Sequence, residues 1–538
     1  MYNVHMMYGV HAPRVLIIGG GLVGLCAALF LRQHEVEVTL VERRATTSPQ
    51  PKARRINLRT MELFRQLGIA DQVFDAARDL ANHQAMAAGP TLAEAERLPV
   101  MFPGGMPDWD AITPAGACLC AQDLLEPVLR EIAEARGADI RFGVELMDFR
   151  EHHGRGDTAH TNDLPSAPRD GGPGIRAIVR TAGGAMDTLD ADYLIAADGA
   201  NSPIRERLGI TRGGRGTLGS AVNVYFRADL GELVRGREFN LCQIENDRVP
   251  GAFASVDGTR RWIFTSGVGV DRPARDWPEA LRVAIGVPDI DIEVLSVLPW
   301  EPGMFVADTF RSGRVFLAGD AAHVMPPFAA AGANTGIEDA HNLAWKLARV
   351  LRGSADPALL DTYHSERHPV GWFIADQSSI RTLSLRTMTR ESTDGTPLAD
   401  PIALILGNRY PAGAFIDDAS AHTMTRLDTS GQPGTRMPHA FANPGRSTLD
   451  LIGNEYVLLT GPAGGAWRAA AARAGIDSYE IDENYCVTAG LTASGALLIR
   501  PDQIVAWRAP ELPADPAAAL RTTLELIDRA RARHRLPS

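Results

Sequence analysis

VLIIGGGLVGLCAALFL, residues 15–31, runs from Arg14 to Arg32 without a charged side chain, and three consecutive glycines divide it. EVEVTLVE follows and ends on Glu42. The pattern reads as strand, glycine turn, helix and second strand, with glycines spaced Gly19-x-Gly21-x-x-Gly24. That order predicts a dinucleotide site. Gly19, Gly20, Gly21 and Gly24 let backbone approach a pyrophosphate, and the helix opening at Leu22 and Val23 offers unpaired N–H groups. Glu42, with Arg43 beside it, is placed to accept from a ribose hydroxyl.

The same run is close to the length of a membrane span or a signal-peptide core, but neither reading accommodates Gly-Gly-Gly at its centre. The expectation is a chain that is neither membrane-bound nor exported, with Met1–Ala12 as a loose tail. A length of 538 residues exceeds one hydrophobic core, and 45% hydrophobic with 22% charged residues describes a globular protein. The net charge of −11 argues against nucleic acid or anionic membrane as a partner. The five cysteines are scattered, and Cys118-Leu119-Cys120 lacks the second pair a zinc site needs. No metal is expected, and a reducing cytoplasm fits the thiols.

The chain divides into four expected parts. Residues 12–217 form the first part of a nucleotide-binding domain, with a Pro/Gly-rich flexible insert at 152–174. This part includes the helical RTMELFRQLGIAD, a helix over Gln122–Arg136 and the strand IRFGVELMDFR. Residues 218–297 alternate polar and apolar (AVNVYFRADL, RRWIFTSGVGV) and predict an inserted antiparallel sheet. Residues 298–400 return to α/β texture, with a long helix ending near Leu351. Residues 401–538 order their strands and helices as a thioredoxin does, with a hairpin turned at Pro501-Asp502, a last helix to about Arg533 and no C-x-x-C. A structural or assembly role, including a homodimer, is expected of this region.

Two further motifs accompany the first: Asp198-Gly199-x-x-Ser202-x-x-Arg205, and Gly319-Asp320-Ala321-Ala322-His323-x-x-Pro326-Pro327 leading to a helix start near Gly332-Ala333-Asn334. Each alone reads equally as a capping turn. The three together resemble the class A flavoprotein aromatic hydroxylases, the para-hydroxybenzoate hydroxylase fold, over roughly residues 12–395. STLDLIG and LIRPDQIVAWR resemble the thioredoxin-like extension of larger members, and PKA-x5-RTMELFRQLGI is most similar to the branch acting on anthracycline- and angucycline-type polyketides. The fold this implies is α/β: a Rossmann-like FAD-binding domain, an inserted antiparallel-sheet substrate domain and a C-terminal thioredoxin-like domain.

The resemblance also implies roles. FAD is held non-covalently, with Glu42 on the adenosine ribose, Gln122 on the flavin side and Asp320 on the ribityl chain. Lys52 and Pro327 are also cofactor-binding, the helix start Gly332-Ala333-Asn334 faces the pyrimidine end of the ring, and Asp198 and Arg205 shape the region shared by the FAD pyrophosphate and the incoming co-substrate. Lys52 stands where the family has arginine, and Ala329-Ala330 replace a glycine pair. NADPH or NADH acts as a transient co-substrate, O₂ is consumed, and an aromatic small molecule is hydroxylated by a flavin C4a-hydroperoxide. Expected substrate contacts are Phe226, Phe253, Trp262, Met325 and Phe328, each of which also suits ordinary core packing. No catalytic acid or base is singled out, His323 included. Baeyer–Villiger or other oxidation, drug inactivation, and flavin binding without turnover stay open as alternatives.

Overall fold

The computed structural model describes residues 14–99, 107–152, 174–267, 276–383, 396–417, 424–443 and 445–529. The N-terminal tail and most of the 152–174 insert fall outside the described residues.

Strand Arg14–Ile18 lies between Glu37–Glu42 and Tyr193–Ala196. Asp139–Phe142 and Val315–Leu317 extend this sheet on its two flanks, all parallel, and Arg311–Ser312 closes one edge antiparallel. Parallel strands covered on both faces must be apolar throughout, which is why Val15, Leu16, Ile17 and Ile18 are all buried. Helix Leu22–Gln33 buries nine of its residues and packs on the long helix Ala331–Leu351. The uncharged run is therefore core. Among the described residues no helix is long and apolar enough to cross a membrane.

IRFGVELMDFR is two strands rather than the expected one. Gly143 sits at φ +72, a left-handed conformation that glycine adopts at no steric cost. The chain turns there from the parallel sheet into a separate sheet formed by Val144–His152, Gly174–Thr181 and Met186–Ala191.

The inserted sheet orders its strands as 293–300, 221–227, 261–266, 251–255, 241–244, 86–89 and 96–97. Its last two strands precede residue 217, so the sheet exceeds the expected 218–297, and Met86–Gly89 joins it parallel to Leu241–Ile244. Short MAAG carries no alternation that would reveal it. One face of the sheet is apolar: Val222, Val224, Phe226, Phe253, Trp262 and Phe264 pack with helix Trp277–Ile285. The other turns to the nucleotide-binding domain, where Tyr225, Ala254 and Ile263 meet Ala121 and Leu124.

In the C-terminal region Val457–Thr460 runs parallel to Asp477–Glu480 and antiparallel to Ala496–Ile499, which pairs with Val505–Ala509. This is the thioredoxin-like arrangement. Helix Gly465–Ala474 begins where a redox motif would lie and has no cysteine, while Cys486 is buried on Glu483–Thr488. The turn 500–504 leaves this domain and inserts into the nucleotide-binding domain. Arg500 bonds both carboxylate oxygens of Glu366, at 2.8 and 2.9 Å, and also pairs with Asp502. Lys346 reaches Glu366 at 2.7 Å. Burial alone would raise the Glu366 carboxyl, but Arg500 and Lys346 hold it down at about 2. Nearby, Arg59 and Arg436 both pair with buried Glu62, and Arg59 also donates to the Asp502 carbonyl at 3.0 Å. The two domains share one charged core.

Candidate functional site

The glycine turn does two jobs. A Cβ on Gly19 would lie 2.2 Å from the Ala197 carbonyl oxygen, and one on Gly24 would lie 1.9 Å from that of Gly19. At Gly20 it would lie 2.8 Å from Cβ of Glu42. These three glycines are packing requirements. Gly21 differs: nothing comes nearer to its Cβ position than Glu126 Oε1 at 3.7 Å, so space stays open at the helix start. Gly21 caps the Leu22–Gln33 helix with no side-chain bond, leaving first-turn N–H groups for a ligand. Leu22 is buried, while Val23 is half-buried. Glu42 accepts from Gly20 N–H at 2.8 Å and Arg44 N–H at 2.9 Å, so it braces the turn from the end of its strand; Arg43 is exposed beside it.

The first and third motifs meet at Val23, and the second is clamped to the third. A Cβ on Gly319 would come within 2.7 Å of Val23 Cγ2, and one on Gly336 would come within 2.6 Å of the same methyl and 2.8 Å of Gly319 Cα. Arg205 is buried and donates to the carbonyls of Ala200, at 3.1 Å, and Ala321, at 3.4 Å, clamping the second motif to the third. Asp198 Oδ2 accepts from Ile204 N–H at 3.2 Å as a helix cap, but Oδ1 is buried with no hydrogen-bond partner among the described residues. Beneath the third motif, Asp339 accepts from Gly319 N–H at 3.2 Å, bonds His323 Nε2 at 2.6 Å and accepts from Arg367 at 2.8 Å. His323 is therefore a packing residue, fully buried and tied to Asp339.

Asp320 is open to solvent yet densely surrounded, as a group on the floor of a cleft is. Its carboxyl is raised by desolvation, which His323 and Lys52 oppose. No described residue donates a hydrogen bond to it. Lys52 is exposed on the segment that Gln122 anchors: Gln122 N–H donates to the Ala53 carbonyl at 2.8 Å, and its Oε1 accepts from Ala53 N–H at 3.3 Å. The Gln122 amide nitrogen donates to buried Glu126 at 2.6 Å, and Glu126 also accepts from Ser48 N–H at 2.8 Å. Glu126 and Gly336 were not anticipated. The signal for the first was present in QDLLEP, where an acid lies four residues after Gln122 on an otherwise apolar helix face.

Helix Ala331–Leu351 starts within the expected segment, beside Gly332 and Ala333. The Asn334 side chain bonds within the protein. Its carbonyl oxygen accepts from Asn57 N–H at 3.0 Å and Thr60 Oγ1 at 2.7 Å, and its amide donates to the carbonyls of Arg55 at 3.1 Å and Ala330 at 2.8 Å. The side chain is spent within the protein, so the helix start offers a ligand its backbone. Ala330, just before it, is left-handed at φ 54, ψ 32, a conformation that costs an L-residue about 1–2 kcal/mol.

Three expected substrate contacts need correction. Phe226, Phe253 and Trp262 are fully buried in the apolar core on the far face of the inserted sheet. Because side chains alternate, the residues one step along on the same strands, including Asn223, Tyr225, Ile263 and Thr265, take the near face. Met325 is half-buried beside the Ala331–Leu351 helix, 3.5 Å from the Cβ position of Gly332. Phe328 lies half-buried under the Arg381 guanidinium at 5.1 Å, and Pro327, just before it in the chain, is exposed.

An open cradle at Gly21, an uncapped helix start, the unpartnered carboxylate of Asp320 and a brace at Glu42 suit a dinucleotide with a long polar tether. Among the described residues no cluster could hold a metal ion.

Residues 13–378 match the family described as FAD binding domain, and residues 430–527 match that described as Aromatic-ring hydroxylase, C-terminal. A tetracenomycin A2 monooxygenase-dioxygenase from Streptomyces glaucescens is 41% identical, over 95% of this chain and 96% of its own. A 4-methyl-5-nitrocatechol 5-monooxygenase from Burkholderia is 36% identical, over 95% and 97%. The crystal structure of aklavinone-11 hydroxylase with FAD and aklavinone superposes with a TM-score of 0.85 at 33% identity, covering 97% of this chain and all (100%) of that one. With both family models and relatives that match nearly the whole chain, the chain belongs to the FAD-dependent aromatic-ring hydroxylases, a family of flavin monooxygenases.

Proposed function

We propose that the protein hydroxylates a phenolic carbon of a polycyclic, polyketide-type aromatic, with non-covalent FAD and transient NADPH or NADH. The observation that carries this reading is the half-buried face of the inserted sheet, with Asn223, Tyr225 and Thr265, set against the segment that bears Lys52. It rests also on relatives named for tetracenomycin and aklavinone chemistry that match nearly the whole chain.

FAD, when bound, supplies the oxygen-activating chemistry. This chain's residues bind and orient. In the proposed arrangement the start of the Leu22–Gln33 helix stabilises pyrophosphate charge, Glu42 and Asp320 accept from hydroxyls, and Lys52 offsets the Asp320 charge. The ring is bordered by the backbone around Ala330–Ala333. His323 cannot reach a substrate, and an acidic phenol can ionise without a protein base. All five cysteines are buried thiols, and we place the enzyme in the cytoplasm.

The test uses purified yellow protein, NADPH and air, with a panel of hydroxyanthraquinones, hydroxynaphthacenes and single-ring nitrocatechols. Substrate-dependent NADPH consumption with a product heavier by one oxygen, on the multi-ring compounds, is expected. Turnover confined to single-ring phenols would overturn the polycyclic reading, and insertion of oxygen into a ring C–C bond would overturn hydroxylation.

A further inference from the structure

Three adjacent strands, 221–227, 261–266 and 293–300, bring Asn223, Thr265 and Trp300 together on the near face of the inserted sheet. Asn223 is directly opposite Thr265 on one side and Leu298 on the other, and Trp300, opposite Ala221, lies on the diagonal. Thr265 Oγ1 donates to Asn223 Oδ1 at 2.8 Å, and Trp300 Nε1 donates to the same oxygen at 3.0 Å.

An indole N–H can only donate, so the amide atom it meets must be the carbonyl oxygen. Both lone pairs of that oxygen are occupied, and the amide cannot flip without losing the Trp300 bond and setting its NH₂ against the indole N–H. Its NH₂ group therefore points in a fixed direction. No described residue accepts from it, and Asn223 is half-exposed. Beside it Leu298 is 41% exposed, an apolar surface next to a fixed pair of donors.

The position on the sheet matters. Two residues along the same strand, Tyr225 is covered by Ala121 and Leu124 at the start of the Gln122 helix. Gln50, on the segment that carries Lys52, reaches Ser296 Oγ at 3.4 Å, opposite Tyr225. Asn223 stands just past this covered stretch, where its neighbour Leu298 is exposed. A hydrogen-bonding site that displays only donors strongly rejects analogues lacking the acceptor, because its own polar group is then left unpaired.

We propose that Asn223 is a recognition residue that donates from Nδ2 to a ring carbonyl oxygen on the aromatic substrate, with Thr265 and Trp300 fixing its direction. This rests on the hydroxylase reading above but not on the number of fused rings.

The experiment compares 1,8-dihydroxyanthraquinone with 1,8-dihydroxyanthracene, which lacks the carbonyls, by flavin-absorbance titration and by KM and kcat. Asn223→Asp keeps the acceptor for Thr265 and Trp300 but removes the donors. It should raise the dissociation constant and KM of the quinone 10- to 100-fold, with a much smaller effect on the anthracene. Thr265→Val releases one bond to the amide and should raise the same constants several-fold. The flavin spectrum and melting midpoint of each variant report its fold. Equal loss for both compounds, or no loss for either, would overturn the assignment of Asn223. A wild-type enzyme that binds neither compound and oxidises no phenol would overturn the hydroxylase reading itself, and the assignment with it.

Discussion

Replacing Arg500 by Met tests whether the C-terminal domain is welded to the flavin domain or merely tethered to it. The fully buried guanidinium holds Glu366 through two bonds, at 2.8 and 2.9 Å, Asp502 through Nε at 2.9 Å, and the Ala414 carbonyl at 3.3 Å. It also lies 5.0 Å from the Trp345 ring. Methionine retains much of the stem volume but leaves two buried carboxylates against one buried cation, Lys346. Breaking a buried pair by removing one partner costs about 3–5 kcal/mol. Glu366 keeps Lys346 and the Ala414 N–H, both at 2.7 Å, which points to the lower end, near 3 kcal/mol. Linkage gives a similar size. Glu366 titrates at about 2 rather than 4.5, and a depressed carboxyl contributes stability that is present above the unfolded value and lost as pH falls towards 2; this is on the order of 3 kcal/mol. In the variant the surplus carboxylate gains from protonation, so the loss should be larger at pH 8 than at pH 5.5. Urea unfolding followed by tryptophan fluorescence and by flavin release at both pH values reads this out. A loss below about 1 kcal/mol at pH 8, or one that grows on acidification, would refute the reasoning.

Glu42→Ala should weaken FAD retention by about 1.5–3 kcal/mol in a fluorescence titration, since it removes a charged acceptor that also braces Gly20. Asp320→Ala should weaken FAD binding while leaving the apoprotein melting point unchanged or raised, because no described residue donates to that desolvated carboxylate; a lost cap would instead cost about 1 kcal/mol of stability with affinity intact. Ala330→Gly should change apoprotein stability by no more than about 1 kcal/mol, relief at φ 54 being offset by added chain entropy, whereas Ala330→Val should melt markedly lower. Cys486→Ser should leave NADPH-dependent turnover intact, since that thiol is buried in the C-terminal domain with its pKa raised by burial.

What could be read from the chain follows from how local each signal is. The glycine turn, Glu42 and helix Gln122–Ala135 are encoded within short windows, and they stand where periodicity put them. The C-terminal strand order followed from the spacing of its apolar runs. Phe226, Phe253 and Trp262 misled because large aromatics suit a ligand pocket and a core equally; alternation identifies two faces without saying which a helix will cover. The bonds of the Asn334 side chain were hidden because a side chain at a helix start can serve a ligand or a neighbouring loop, and its partners Asn57 and Thr60 are far away in sequence. Gly336 and Asp339 were silent for a similar reason: their partners Val23, Gly319 and His323 come from other segments.

The meeting of Val23, Gly319 and Gly336 also sets a timetable. A growing chain can form its first strand, helix and second strand early, yet the walls that complete the cleft are made from residues some three hundred positions later. The charged core beneath them waits for Arg500. Domains that emerge first generally fold first, and distant pairings are slow because loop closure must precede their reward. On the proposed flavin site, the earliest module to leave the ribosome is not a competent vessel for its cofactor. Flavin capture becomes a closing event of synthesis, and the nascent nucleotide-binding half must keep its unfinished apolar surfaces from aggregating until the last domain arrives.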